Sequence, residues 1–127
     1  MSLRDREITV IKLFDAQSIA ASGNASQPAE GIDLQRFAQG GNFSVQYLIT
    51  GDGTLKLEYN LSNDGATYVE PTGASDIGSS LTKTTGPGGD GKDILSFNPM
   101  LARYLKIKAT ETGTAQAAVL TLWLAIQ

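Results

Sequence analysis

Twelve consecutive residues, Thr54 to Gly65 (TLKLEYNLSNDG), constrain this chain more tightly than any other stretch. Leu55, Leu57, Tyr59 and Leu61 alternate with Lys56, Glu58 and Asn60. Successive side chains of an extended backbone leave opposite faces, so this is a strand with one side in an apolar core. Asn63, Asp64 and Gly65 tolerate the positive φ of a tight turn and end it. A strand of this kind needs a second apolar layer against its buried side.

The rest of the sequence supplies that layer in short pieces. Phe43, Val45, Tyr47 and Ile49 share one face of another alternating strand. Thr50-Gly51-Asp52-Gly53 reads as a hairpin turn, which would make the two strands antiparallel neighbours. Ile8 to Phe14 is a first strand whose alternation changes phase between Val10 and Ile11, as a β-bulge or a change of neighbours would produce. Between Ala16 and Gln35, two short strands around a turn at Ser22 to Ala25 are expected, since Ala16 to Ala21 is too short for a helix standing alone. Ala66 to Glu70 reads as a short strand. Pro71 to Lys92, with Ile77 and Leu81 as its apolar anchors, reads as a mobile or functional loop without structure of its own. Asp93 to Phe97, Tyr104 to Thr110 and Ala117 to Gln127 complete the set. About eight short strands with regular turn signals predict an all-β fold. The expectation is one domain over residues 1–127, an antiparallel β-sandwich of the jelly-roll type.

Cysteine and histidine are both absent. The chain therefore has no thiolate and no imidazole, the commonest base near neutral pH and the commonest metal ligand, so conventional hydrolase readings lose their chemistry. The expectation is a protein that is not an enzyme and uses no cofactor. Ten basic against thirteen acidic residues give a charge of −3. That balance lacks the positive field that displaces counterions from a duplex, so nucleic acid is not expected as a partner. No apolar run approaches the roughly 20 residues that cross a bilayer, and MSLRDREITV lacks the apolar segment of a secretory signal. A soluble chain with no membrane partner is expected.

From Leu55 to Thr110, the order LEYNLSNDGATY, FNP, ARYLKIKAT resembles the discoidin, or coagulation factor C-domain, group of galactose-binding-like jelly rolls. The resemblance implies a jelly-roll sandwich and a carbohydrate-binding function. Tyr68 stands where that group usually has tryptophan, and its closing disulfide has no cysteines here. The ending AVLTLWLAIQ and the chain's size are similar to small structural proteins of phage virions.

Several local patterns compete with plainer readings. Gly86 to Lys92 (GPGGDGK) has the spacing of a phosphate-binding loop, but Asp93 replaces the magnesium-binding hydroxyl, and Ile94 to Phe97 reads as strand where a helix is required. Asp76, Asp90 and Asp93 could offer oxygens to calcium, yet they lack a calcium-loop spacing and read as solvated loop charges, so no metal site is expected. Glu58 and Glu70 form a carboxylate pair only if the fold joins them. Ligand-binding candidates are Tyr68 as an aromatic platform, Asp76, and Arg103 for an anion or sugar hydroxyls; packing roles compete for Tyr68 and Arg103.

In the last strand, Leu120, Leu122, Leu124 and Ile126 form one face. Val119, Thr121, Trp123 and Ala125 form the other, which solvent would normally make polar. Val119, Thr121 and Trp123 are therefore interface candidates, covered by the N-terminal segment or by a second copy of the chain. Two functions follow. The first is a self-assembling, non-catalytic structural protein of a virion, as decoration or tail, with other virion proteins as further partners. The second is a carbohydrate-binding module.

Overall fold

The alternation seen in the sequence becomes eight strands in a computed structural model, which describes residues 7–37 and 41–127. They are β1 (Thr9–Ile19), β2 (Asn24–Asp33), β3 (Phe43–Gly51), β4 (Leu55–Ser62), β5 (Gly78–Leu81), β6 (Lys92–Phe97), β7 (Tyr104–Glu111) and β8 (Ala118–Ile126). A 3-10 turn, Leu34–Arg36, follows β2. The strands form two antiparallel four-stranded sheets, ordered β1-β8-β3-β6 and β2-β7-β4-β5. Apart from β4 to β5, every step along the chain changes sheet, and that winding makes the sandwich a jelly roll, as expected.

The core lies between the sheets. Val45, Tyr47 and Ile49 of β3 and Leu120, Leu122, Leu124 and Ile126 of β8 face Leu55 and Leu57 of β4 and Leu105 and Ile107 of β7, all essentially without solvent contact. The face of β8 assigned to the core in the sequence is the buried one.

The expected hairpin between β3 and β4 is not formed. β3 lies between β8 and β6, and β4 between β7 and β5, so the two strands sit in opposite sheets. Thr50 and Gly51 instead end β3, and residues 52–54 cross to the other sheet. The Gly53 amide donates to the Ala117 carbonyl at 3.0 Å, which anchors the crossing to the approach of β8. Both strands have one apolar face, and setting those faces against each other across the core buries both at once. Their backbone groups are satisfied laterally by other strands, so local patterning could not choose between pairing and facing.

The stretch from Pro71 to Lys92 also differs from expectation, because it contains β5 and a well-tied connection. The Thr85 hydroxyl meets the Tyr47 hydroxyl at 3.2 Å. Gly91 donates to Thr85 and accepts from Ile49, both at 2.9 Å, and Lys83 pairs with Asp52. The glycines here serve turns rather than slack: Gly86, Gly89 and Gly91 all have positive φ. Gly86 to Lys92 leads directly into β6, so no helix N-terminus faces a would-be phosphate. Residues 66–70 contribute a single bridge, Leu61 to Val69, rather than a strand. The irregularity expected near Val10 falls later in β1, where register shifts lie between Lys12 and Phe14 and between Phe14 and Gln17.

Candidate functional site

Three surfaces carry the residues that the sequence singled out. The first is the outer face of the β1-β8-β3-β6 sheet. Trp123 stands on the inner strand β8, opposite Lys12 on one side and Gln46 on the other, and Gln46 is in turn opposite Ile94. The Lys12 ammonium lies 5.5 Å from the indole centroid, and Lys12 also pairs with Asp15 at 3.2 Å. Around this row are Val119, Thr121 and Ala125 of β8, Leu48 of β3, and Val10 of β1, which is 60% exposed. β1 fills the edge of the sheet beside β8 rather than lying over its face; among the described residues the Lys12 stem lies against the indole, and Trp123 is partly buried.

The second surface is the end of the sandwich where the β2–β3, β4–β5 and β6–β7 connections meet. A cleft of about 780 Å³ is lined by Leu34, Gln35, Phe43, Asn63, Pro99 and Arg103. Beyond the Met100–Leu101 ridge lies a second hollow of about 710 Å³, with Asp64, Thr67 and Val69 in its walls. Arg103 is already engaged: its guanidinium meets Asp33 at 3.2 Å and 3.4 Å, and its amide donates to the Asn63 side chain at 3.0 Å. Each partner favours the other's charged form, so the Asp33 carboxyl titrates below its usual range and the Arg103 guanidinium above. The Ser62-Asn63-Asp64-Gly65 turn is a hydrogen-bonded unit. The Asp64 carboxylate accepts from the Thr67 and Ala66 amides and the Ser62 hydroxyl, which holds its pKa well below the carboxylate range.

The third surface is the outer side of the other sheet. Here the fold joins Glu58 and Glu70, which nothing in the sequence placed together, and adds Asp76; one oxygen from each lies within 4.8 Å of the others. Glu58 is 8% exposed, and Lys56 stands 3.4 Å away as its counter-charge. Such oxygens suit a hard cation by type, but the lysine already offsets part of their charge. Asp90 and Asp93 are not part of this group; Asp93 instead accepts from the Ile94 amide at 2.8 Å. The Glu58 carboxyl beside Glu70 raises the Glu70 pKa, first by sharing a hydrogen bond and then by like charge. A raised folded pKa means the native state holds that proton more firmly. Stability from this pair is therefore lost as pH rises from 4.5 through the raised value. Glu70→Gln is expected to raise the melting temperature at pH 7 by roughly 1–3 °C. The gain should vanish on acidification to pH about 4, where the wild-type carboxyl is protonated. A variant less stable than wild type at pH 7 would contradict this.

Tyr68 is clamped. Its hydroxyl donates to the Glu30 carbonyl at 3.2 Å, the Lys106 ammonium lies 4.3 Å from its ring centroid, and Gly31 lies under the hydroxyl. Gly31 has a φ of +77°, and a Cβ there would stand 1.9 Å from the Tyr68 oxygen. Gly31→Ala is expected to cost about 2 kcal/mol in urea unfolding. The Gly31→Ala, Tyr68→Ala pair should recover the steric part, and strictly additive losses would contradict the clash. The three ligand candidates do not converge: Arg103 lines the larger cleft, Asp76 a separate hollow of about 410 Å³, and Tyr68 neither.

No protein-family model matches the chain, and no characterised protein matches it by sequence. Several solved structures align with it at low identity. The VP2 subviral particle of infectious bursal disease virus aligns with a TM-score of 0.49 and 14% identity over 95% of this chain. The C-terminal CBM6 of LamC, a laminarinase from Zobellia galactanivorans, aligns with a TM-score of 0.47 and 14% identity, covering 91% of this chain and 98% of the module. A family 29 carbohydrate-binding module from Piromyces equi aligns with a TM-score of 0.38 and 11% identity, covering 92% and 90%. The chain spans only 32% of the VP2 chain. Among the described residues, no helix is long and apolar enough to cross a membrane.

Proposed function

We propose that this chain, as one domain over residues 1–127, is a non-catalytic structural or interaction protein that assembles with copies of itself through the outer face of the β1-β8-β3-β6 sheet. The virion setting, as decoration or tail component beside other virion proteins, is part of the same reading and rests on the phage-like terminal strand. The observation that carries the reading is the position of Trp123. It sits partly buried on a strand whose two edges are paired, on the face away from the core, between Lys12 and Gln46, with Val10, Leu48, Val119 and Ile94 elsewhere on the same face. Tryptophan is enriched at binding hot spots, and an apolar sheet face on a soluble protein marks an interaction site.

Light scattering at high micromolar concentration should give a mass above the monomer's. Trp123→Ser should weaken this association at least about 30-fold while far-UV dichroism stays β-rich. A monomeric wild type would sink the proposal. Carbohydrate binding remains the second reading, favoured by the cleft beside Arg103, whose Gln35 and Asn63 offer polar groups over an apolar floor. A glycan array run with a calcium series tests it, and silence across diverse glycans removes it.

A further inference from the structure

We propose that Asp93 guards the open edge of β6: its carboxylate, seated on the Ile94 amide, keeps this strand from pairing with the β6 of a second copy. The two sheets have four edge strands, β1, β6, β2 and β5. An edge strand presents a row of unpaired backbone groups that another strand can extend. Three of these edges are interrupted by their own backbone. β1 has register shifts between Lys12 and Phe14 and between Phe14 and Gln17. β2 shifts between Gln27 and Ile32, and Pro28 within that gap has no amide hydrogen to offer. β5 is four residues long, and its Ser80 has a φ of 55°. Of the four, β6 alone keeps an unbroken register with its neighbour, from Phe97 opposite Phe43 to Lys92 opposite Leu48.

The ladder fixes which backbone groups of β6 face outward. The Ile49 amide donates to the Gly91 carbonyl at 2.9 Å. In an antiparallel pair such bonded positions alternate, so Asp93, Leu95 and Phe97 turn their backbone groups to β3, and Lys92, Ile94 and Ser96 turn theirs to the open side. Gly86 packs against the Lys92 carbonyl at one end. In the middle of the strand, the Ile94 amide donates to the Asp93 carboxylate at 2.8 Å, so the central donor of the open side is already taken. Asp93 is also the charge on an apolar side: it shares the inner face of β6 with Leu95 and Phe97, which pack on the core. Two β6 strands joined antiparallel about a twofold axis set inner residues opposite inner residues. Asp93 would then meet Leu95, Phe97 or the other Asp93. Each register takes the Ile94 amide from the carboxylate and returns no side-chain donor to it, which is costly for a charge being covered. Without the carboxylate, the same twofold brings Ile94 opposite Ile94, an apolar cross-strand pair. The guard does not rest on the sheet-face association proposed above; it closes the other route by which copies of this chain could join.

The test is sedimentation at high micromolar concentration of Asp93→Ala, Asp93→Asn and the Asp93→Ala, Ser96→Pro pair. Each is made in Trp123→Ser and compared with Trp123→Ser alone, so that the sheet face does not carry the result. Asp93→Ala should tighten self-association at least about 10-fold. Asp93→Asn should stay close to the background, because its side-chain oxygen still accepts from the Ile94 amide. Ser96→Pro removes a donor from the open side and leaves the ladder to β3 intact, so adding it to Asp93→Ala should return the background mass. The guard is overturned if Asp93→Ala associates no more than its background, if its extra mass survives Ser96→Pro, or if Asp93→Asn associates as tightly as Asp93→Ala. None of these outcomes bears on the sheet-face reading, which falls instead on a monomeric wild type.

Discussion

Replacing Glu111 with alanine is expected to lower the melting temperature by roughly 10 °C or more, the largest loss from any single polar side chain here. Glu111 closes β7 and is only 2% exposed. Its two oxygens accept from four backbone amides: Ser22 at 3.0 Å, Thr54 at 2.9 Å, Gly113 at 2.7 Å and Thr114 at 2.8 Å. Those amides come from the β1–β2, β3–β4 and β7–β8 connections, so one carboxylate ties three crossings at one end of the sandwich. Ser22 and Thr114 also have φ values of 58° and 70°, a region that residues with side chains seldom hold without support. Truncation would leave buried donors unpaired and release both strained residues. Glu111→Gln should recover only part of the loss, because its NH₂ group would face amides that are themselves donors.

The pH dependence checks the same site. The amides of Ser22 and then Thr54, opposed by burial, pull the Glu111 carboxyl from 4.5 down to about 2. A depressed folded pKa contributes stability that is present above pH 4.5 and is lost as pH falls from there towards 2. Wild-type melting temperatures should drop across that acidic window, and those of Glu111→Gln should drop less. Parallel curves for the two proteins would contradict the assignment. The Glu58 and Glu70 pair acts with the opposite sign above pH 4.5, so the two contributions can be measured separately.

Gly53→Ala is expected to cost about 3 kcal/mol, or roughly 10 °C, although it adds a single methyl group. A Cβ at this position would lie 2.7 Å from the Gln116 carbonyl oxygen and 2.8 Å from backbone atoms of Ala117 and Ala118. These are main-chain atoms leading into the buried strand β8, and no rotamer change can move them aside. The Gly53 amide also bonds Ala117, so relieving the clash would break the tie that anchors the crossover. Gly73→Ala is the control. Gly73 has a φ of +79° and open space around it, so the cost there should be the conformational strain alone, about 1 kcal/mol. Equal losses at the two positions would show that the backbone approach at Gly53 is not tight.

The sequence by itself determined which side chains face the core. Strict alternation in Leu55 to Leu61, Phe43 to Ile49, Leu105 to Ala109 and Leu120 to Ile126 leaves an extended backbone no other way to bury its apolar half, and all four stretches behave so. The same parity carried two residues further puts Glu111 inward, a signal that a turn-like composition after Thr110 concealed. The serine-to-glycine turn at Ser62–Gly65 was equally legible, because its hydrogen bonds close within a few residues. Only the tertiary structure decided which strands are neighbours. An apolar face is satisfied by any apolar layer, and a ladder of amides by any strand edge, so nothing local separates β3 and β4 lying side by side from β3 and β4 facing across the core. The same holds for the sites. Glu58 and Glu70 meet because the β4–β5 connection folds back along β4, and Tyr68, Asp76 and Arg103 part because they leave the sandwich from different connections and faces. Distance along the chain carries no information about either outcome; only the winding of the jelly roll does.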